Sequence, residues 1–242
     1  MDGFYHNQGG GRFGDVTAAA GVAGGGWSTS AAFLDHDLDG DFDLYVANGH
    51  VLDNIATFRP GMTFAESDQL IENELIEVES SANGARRRFV DVSSRAGEWF
   101  SRATVSRSAA SCDYDNDGDE DIAVLSSGSR AVLLRNDGPH GHWIAFQLQG
   151  TRSNRDGYGA KVAVHARQGG DTFTRDFESK SARSYASACD PRVRAGLGQG
   201  PVTVERVEIR WPSGAKQAIE APAIDRVHRV VEPAGEGGGV TK

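Results

Sequence analysis

FLDHDLDGDFDLYVANG, at residues 33–49, carries the strongest structural signal in the chain. A second stretch, at residues 111–128, reads SCDYDNDGDEDIAVLSSG. In both, aspartates alternate with other residues around one glycine, and a short apolar run bounded by turn residues follows. Such a run is typical of a β-strand. We therefore predict that each aspartate-rich loop joins two strands and that the same unit occurs twice.

The aspartates of each loop have the spacing of ligands for a hard cation. Four of them occupy positions 1, 3, 5 and 9 of a nine-residue window, with glycine at position 6 and a fifth aspartate at position 7. Ca²⁺ takes about six to eight oxygen ligands, and a glycine allows the loop to turn sharply around the ion. The sequence therefore predicts two calcium sites, with the backbone carbonyl at position 7 as a ligand in each. The residues are Asp35, Asp37, Asp39, Gly40, Asp41 and Asp43 in the first loop, and Asp113, Asp115, Asp117, Gly118, Asp119 and Asp121 in the second.

Two other calcium motifs do not fit these loops. An EF-hand needs a glutamate at position 12 and a helix on either side. Val46 and Val124 occupy that position, and both lie in strand-like apolar runs. Nonapeptide β-roll repeats are excluded because tandem GGxGxD units are missing. An aspartate-rich surface turn that binds no ion is the remaining alternative.

The acidity of the chain is local. The formal net charge is −9, and ten aspartates lie in the two loops, so the rest of the chain is close to neutral. Carboxylates this close together repel one another unless a cation lies among them. A nucleic-acid partner would need a basic stripe instead, and we predict no such partner.

Further sequence elements repeat around the loops. Residues 13–21 read FGDVTAAAG and residues 89–97 read FVDVSSRAG, and a loop follows each. A third shared element is FYHNQG at residues 4–9 and LLRNDG at residues 133–138. Repeated strand units of this size predict propeller blades over residues 1–138. Residues 70–79, LIENELIEVE, fit either a pair of hairpin strands or a helical turn, and Asn83-Gly84 predicts a tight turn.

From about Pro139 apolar and polar residues alternate in short runs between glycine-rich turns. This pattern predicts a β-sandwich-like domain at residues 139–233, followed by a disordered tail at residues 234–242. The alternating residues are Ile144, Phe146 and Leu148, then Val162 and Val164, then Val207, Ile209 and Trp211.

The loops and their flanking elements resemble FG-GAP/VCBS repeats, in which a DxDxDGxxD loop joins two strands of a propeller blade and binds calcium. The C-terminal stretches WIAFQLQGTRSNRDGYGAKV, SYASACDPRVRAGLG and VERVEIRWPSGAKQ resemble the ASPIC/UnbV domain of cartilage acidic protein homologues. The resemblance implies an all-β protein, with a partial β-propeller of about two FG-GAP-type blades followed by a β-sandwich-like ASPIC/UnbV domain.

The propellers of that family have several blades, and this sequence starts partway through one. About two blades would leave an apolar face and strand edges exposed. We expect either a fragment of a longer protein, which is the preferred interpretation, or a partner chain that covers these edges.

The sequence contains no run that is long and apolar enough to span a bilayer. The first residues, MDGFYHNQGGG, lack the charged and apolar regions of a signal peptide. The resemblance nevertheless implies an extracellular or periplasmic protein, secreted by a route that this chain does not reveal.

Candidates for catalysis are few. The sequence has no GxSxG, Walker or HExxH motif. His140 and His142 lie in a turn-like stretch that favours an exposed loop over a metal pair, and His36 is predicted to point to solvent. Cys112 and Cys189 have no metal-ligand spacing and are either small buried residues or a cross-domain pair.

The stretch CDPRVR contains the most distinctive polar cluster of the second domain. Asp190, Arg192 and Arg194 are possible ligand contacts there. The alternative is structural, with Asp190 capping a turn whose backbone Pro191 fixes and Arg194 on an exposed face.

Two functions follow from these patterns. The first is a non-enzymatic, calcium-stabilised module for adhesion or recognition of a protein or carbohydrate. The alternative, implied by the resemblance, is a calcium-dependent tailoring enzyme of natural-product biosynthesis, such as a cyclase. A pocket with convergent polar groups between propeller and C-terminal domain would favour the enzyme.

Overall fold

The computed structural model describes residues 3–22, 26–77, 85–235 and 240–241. Over these residues the chain is mostly β, with several sheets and no closed barrel or propeller, so the all-β expectation is confirmed. The strands are β1 (Tyr5–Gly9), β2 (Arg12–Asp15), β3 (Ser28–Leu34), β4 (Asp43–Asn48), β5 (Glu66–Ser67), β6 (Gln69–Glu77), β7 (Ala85–Asp91), β8 (Ala103–Thr104), β9 (Ser106–Cys112), β10 (Asp121–Ser126), β11 (Val132–Leu134), β12 (His142–Gln149), β13 (Lys161–Gln168), β14 (Asp171–Glu178), β15 (Val193–Gly198), β16 (Val202–Arg210), β17 (Lys216–Glu220), β18 (Val227–Val231) and β19 (Val240–Thr241). The helices are α1 (Thr17–Ala20), α2 (Ile55–Phe58) and two short 3-10 helices, Ser93–Arg95 and Glu98–Ser101.

Two antiparallel sheets carry the two aspartate loops. The first sheet has the strand order β3-β4-β6-β7 and the second has the order β9-β10-β11. One loop connects β3 to β4 and the other connects β9 to β10, as the sequence predicts. The two sheets share one apolar core because alternate residues of each strand face the other sheet. Its buried residues are Ala32, Leu34, Tyr45, Ala47, Leu70, Val92, Phe100, Ala109, Ile122 and Val124.

A buried carboxylate fastens the two sheets together at this core. Asp68 is 1% exposed, and its Oδ2 accepts hydrogen bonds from Tyr45 Oη at 2.6 Å and Ser106 Oγ at 2.8 Å. Trp99 Nε1 donates to the same oxygen at 3.0 Å, and the backbone N–H of Asn48 donates to Oδ1 at 2.8 Å. Since four donors surround the charge, its burial is compensated.

The DV[TS]xxAG element of the repeat forms a helical turn after a strand in both copies. Helix α1 follows β2, and the 3-10 helix Ser93–Arg95 follows β7. The hairpin of β1 and β2 lies beside the first sheet, where the rings of Phe4 and Phe89 meet edge to face at 5.3 Å. The hairpin therefore corresponds, in sequence and in placement of its helical turn, to the second half of a repeat unit.

The C-terminal part contains two further sheets around a separate core. Their orders are β15-β12-β18, in which β12 and β18 are parallel, and β14-β13-β16-β17-β19. The alternating residues predicted to face inward do so. The buried core residues are Ile144, Phe146, Leu148, Ala160, Val162, Val164, Ala166, Val193, Ala195, Leu197, Val204, Val207, Ile209, Trp211 and Val230.

The WPSG motif closes this part of the fold around a buried glutamate. Trp211 lies in the core, and Ser213 Oγ donates to Glu232 at 2.5 Å. The backbone N–H groups of Thr151 and Ser153 also donate to Glu232, at 2.9 and 2.8 Å. Burial alone would raise the pKa of Glu232, but these hydrogen bonds outweigh it and lower the pKa to about 2.

The structure settles the alternatives that the sequence leaves open for residues 70–79 and describes part of the C-terminal tail. Residues 69–77 form the single strand β6, which pairs with β7, so this stretch is neither a helical turn nor a pair of strands by itself. The predicted turn at Asn83-Gly84 lies outside the described residues. Within the predicted tail, Val240–Thr241 pairs with β17, and residues 236–239 and 242 are likewise outside the described part.

Cys112 and Cys189 are free thiols. In the described ranges, no helix has the length and apolar character needed to cross a membrane.

Candidate metal centres

Both aspartate loops enter the left-handed region of backbone conformation at the same two positions. In the first loop Leu38 has a φ of 59° and Gly40 a φ of 91°. In the second loop Asn116 has a φ of 63° and Gly118 a φ of 112°. Glycine adopts this conformation without steric cost, so it supplies the sharp turn that the sequence predicts at position 6.

The two loops share one pattern of hydrogen bonds from backbone N–H groups to aspartate oxygens. The aspartates at positions 3 and 5 accept from the residue two places later, and the aspartate at position 9 accepts from the residue at position 2. In the first loop these bonds are Asp39 N to Asp37 Oδ1 at 3.3 Å, Asp41 N to Asp39 Oδ1 at 2.9 Å and His36 N to Asp43 Oδ2 at 3.1 Å. In the second loop they are Asp117 N to Asp115 Oδ1 at 3.4 Å, Asp119 N to Asp117 Oδ1 at 3.2 Å and Tyr114 N to Asp121 Oδ2 at 2.8 Å.

An asparagine that the sequence reasoning missed joins the third strand of each sheet to its loop. The backbone N–H of Asn73 in β6 donates to Asp43 Oδ1 at 2.8 Å. The N–H of Asn136, shortly after β11, donates to Asp121 Oδ1 at 2.9 Å. Aligning LIENEL with LLRNDG places the two asparagines at one position, so the repeat contained the signal.

Among the residues that the structure describes, three groups of side chains bring their ligand atoms within 4.8 Å of one another. They are Asp35, Asp37 and Asp39; His36, Asp37 and Asp43; and Asp113, Asp115 and Asp121. Three predicted ligands, Asp41, Asp117 and Asp119, lie outside these groups. For Asp41 and Asp119 the predicted ligand is the backbone carbonyl and not the side chain. Of the side chains predicted as ligands, all except that of Asp117 therefore lie in one of these groups.

Unpaired buried oxygens show that these loops fit a cation. In the part of the chain that the structure describes, the Oδ1 atoms of Asp35, Asp113 and Asp119 are buried and have no hydrogen-bond partner. The three residues are 8%, 3% and 1% exposed, respectively. An anionic oxygen in this state is costly unless a positive charge compensates it, which Arg194 does in part for Asp113 through the other carboxylate oxygen. Oxygen atoms of this kind are the ligands that hard divalent cations such as calcium take.

Burial and the crowding of carboxylates also raise the pKa values of Asp35 and Asp119. Burial raises the pKa of Asp35 well above its usual range, and the charge of Asp39 raises it further. Burial and then the charges of Asp117 and Asp121 raise the pKa of Asp119 to about 7. Each ionised carboxylate opposes the ionisation of its neighbours, and a bound divalent cation reverses that effect.

The prediction that His36 points to solvent is wrong. Its side chain is 20% exposed, and its Nδ1 lies 2.6 Å from Asp43 Oδ2. Burial lowers the pKa of His36, but the hydrogen bond and the charge of Asp43 outweigh burial and raise it. The second loop has Tyr114 at this position, which is 63% exposed, so the two loops differ chemically here. His142 lies at the start of β12, and its Nδ1 is 2.8 Å from Asp225 Oδ2.

The CDPRVR cluster lies directly against the second loop. Arg194 Nη2 donates to Asp113 Oδ2 at 2.7 Å, and Arg192 Nη2 donates to the Asp113 carbonyl at 2.9 Å. Arg192 also donates to Asn116 Oδ1 at 2.9 Å and pairs with Asp190. The expectation that Arg194 lies on an exposed face is wrong, since the residue is 8% exposed. These three residues therefore hold the loop in place.

The C-terminal half of the chain, which contains the CDPRVR cluster, also holds the first loop, through backbone hydrogen bonds. Gly198 N donates to the Leu38 carbonyl at 2.8 Å, and Gly141 N donates to the Asp37 carbonyl at 2.8 Å. Leu38 is fully buried against Trp143. Both loops thus form the junction between the two halves of the chain.

Residues 150–237 match the family model described as ASPIC and UnbV. These residues form an ASPIC/UnbV domain. The match confirms the resemblance inferred from DPRVRAGLG and WPSG. No curated protein matches the chain.

One further residue connects the ASPIC/UnbV domain to both loops. Glu120 Oε2 accepts the backbone N–H of Asp35 at 3.1 Å, and its Oε1 accepts Ser111 Oγ at 3.2 Å. Arg183 of the domain lies 3.5 Å from the same Oε1. Sequence reasoning missed Glu120 because it stands at a non-ligand position in the second loop.

Proposed function

We propose that this chain is a calcium-binding recognition module without catalytic activity. Ca²⁺ in the two aspartate loops stabilises propeller-type blades and fixes the ASPIC/UnbV domain to them. The observation that carries the proposal is the set of buried Oδ1 atoms of Asp35, Asp113 and Asp119, which accept no hydrogen bond from the described residues. The matching backbone of the two loops supports it further.

The blade interpretation extends the proposal to the FG-GAP/VCBS type. It is supported by the first sheet, an antiparallel order β3-β4-β6-β7 with the aspartate loop between its first two strands. The second sheet repeats the first three strands of this order. In a propeller, each sheet would be covered by its neighbours. We propose that further blades or a partner chain cover the remaining sheet edges.

We further propose that the module works outside the cell or in the periplasm and recognises a protein or a carbohydrate. Extracellular modules bind Ca²⁺ with a Kd of about 10⁻⁴–10⁻³ M, and their sites are filled where the ion is abundant.

The test is the number of calcium ions bound per chain, measured by equilibrium dialysis at millimolar Ca²⁺. We expect two ions in the unaltered protein, one in either Asp35→Asn or Asp113→Asn, and none in the double variant, because each change removes a buried anionic ligand. Asp53→Asn, at an exposed position outside the loops, is the control and should leave two ions. A protein that binds no calcium, or a double variant that still binds two ions, would refute the proposal.

A calcium-dependent tailoring enzyme is the second candidate. The observation that favours it is a cavity of about 270 Å³ where the first loop meets the ASPIC/UnbV domain, with Arg194, Asp35 and Glu120 among its lining residues. Arg192 contacts the second loop instead, and Asp190 pairs with Arg192. A cyclase would require the cavity to admit its substrate.

A further inference from the structure

The cavity at the junction has apolar walls contributed by both halves of the chain. Phe33 is in β3 and Phe42 in the first aspartate loop, and Phe177 comes from β14 of the ASPIC/UnbV domain. The rings of Phe42 and Phe177 lie 6.4 Å apart at 87° to each other. Phe33 and Phe42 are 42% and 44% exposed, which leaves part of each ring available to a ligand. Such a corner of aromatic rings suits a compact apolar group.

Arg183 lines the same cavity with spare hydrogen-bonding capacity. A guanidinium group has five N–H donors. Arg183 contacts Glu120 Oε1 and the Arg192 carbonyl, each at 3.5 Å, which is the long limit for a hydrogen bond. Its side chain is 17% exposed, so it is shielded but reachable. A carboxylate can accept two parallel bonds from such a group at shorter distance.

The other charged groups of the cavity favour an anion at this point. Lys180 is exposed at the cavity and, among the described residues, forms no ion pair. Glu120 accepts hydrogen bonds from Ser111 Oγ and from the Asp35 N–H, which stabilise its charge, and its ion pair with Arg183 is long at 3.5 Å. Asp35 is turned toward its own loop, where its Oδ2 accepts the Gly40 N–H at 3.1 Å. The remaining acidic groups, Asp176 and Glu178, are exposed on β14, where solvent screens them.

We propose that this cavity binds a small organic carboxylate with an aromatic or compact apolar body. The carboxylate pairs with Arg183 and Lys180, and the body lies against Phe33, Phe42 and Phe177. A volume of about 270 Å³ limits the bound group to roughly the size of a substituted benzene ring, below the range of typical drug-sized pockets. The inference rests on the proposed function, because the first calcium loop forms one wall.

The test uses 3-phenylpropionate and its cationic counterpart 3-phenylpropylamine, compared by ligand-observed saturation-transfer NMR in millimolar Ca²⁺. We expect the acid to bind and the amine not to bind. Arg183→Gln and Phe42→Ala should each weaken binding of the acid at least about tenfold, since each removes one half of the recognition. Arg206→Gln, which changes an exposed arginine of β16, is the matched control and should bind the acid as before.

Binding of the amine as tightly as the acid, no binding of the acid, or an unchanged affinity in Arg183→Gln would each overturn the inference. N-acetylglycylphenylalanine, tested in parallel, distinguishes a free acid from the carboxyl terminus of a peptide, and tighter binding of either compound supports the shared chemistry. Calcium stoichiometry is measured on the same samples. Two bound ions without acid binding reject the cavity proposal alone, whereas no bound ions reject the proposed function.

Discussion

Gly196→Val will destabilise the folded protein by about 3 kcal/mol and loosen the first aspartate loop, because a side chain at this position has no space. A Cβ atom on Gly196 would overlap Asp35 Oδ2 and lie 2.8 Å from the Cα and carbonyl carbon of Leu38. The backbone cannot retreat easily, since Gly196 pairs with Trp143 between β15 and β12. Its φ lies outside the left-handed region, so the expected cost is steric and not conformational.

Urea unfolding and hydrogen exchange of the peptide covering residues 35–43 measure this effect. We expect a lower unfolding midpoint and faster exchange in the loop, because Asp35 and Leu38 must move away from the domain. Gly235→Val is the control, since no atom lies within 4 Å of a Cβ at that glycine. Equal stability and equal loop exchange in Gly196→Val would show that the loop does not pack on β15 as described.

Arg194→Met will destabilise the protein by about 3–5 kcal/mol, the usual cost of removing one partner of a buried ion pair. The side chains of Arg194 and Asp113 are 5% and 0% exposed, and their charged atoms are 2.7 Å apart. Methionine fills a similar volume but leaves Asp113 with less compensation for its charge. Arg194 also lies over the Trp143 ring at 5.8 Å, so the change affects both the second loop and the start of the C-terminal half.

Arg206→Met supplies the matched control for this measurement. Arg206 contacts two carboxylates, Glu208 and Glu220, but all three side chains are roughly half exposed. Exposed ion pairs contribute about 0–1 kcal/mol, so its replacement should change the unfolding free energy by no more than that. Urea denaturation of both variants measures the two changes in unfolding free energy, which are then compared. Equal effects of the two substitutions would mean that the Arg194 pair is not buried in solution.

The aspartate loops could be predicted from the sequence because their chemistry is local. Position 6 must be glycine for the turn, and alternate aspartates must face one point, so Gly40 and Gly118 mark both features within nine residues. The strands beside the loops and the inward alternation around Trp211 are local patterns in the same sense. These predictions needed no knowledge of distant contacts.

What the sequence did not predict depends on contacts between distant residues. The attachment of Arg192 and Arg194 to the second loop joins positions about 80 residues apart, and spacing carries no information on such a contact. The same is true of Glu120, which accepts the backbone N–H of Asp35, 85 residues away. His36 is different, because its partner Asp43 lies in the same loop, and only the closed loop brings the two side chains together. The glycines of RAGLG, at residues 194–198, indicated a close backbone contact, because Gly196 has to approach the first loop more closely than any side chain allows.

The measurement that tests the central claim most directly is thermal unfolding of the protein in excess EGTA, in millimolar Ca²⁺ and in millimolar Mg²⁺. A cation that binds only the folded state stabilises it by about 2.7 kcal/mol per site at a hundredfold excess over its Kd. We predict a large rise in the unfolding temperature with calcium, little change with magnesium, and loss of the calcium effect when Asp37→Ala and Asp115→Ala are combined. An unfolding temperature that is the same in EGTA and in calcium would contradict the account.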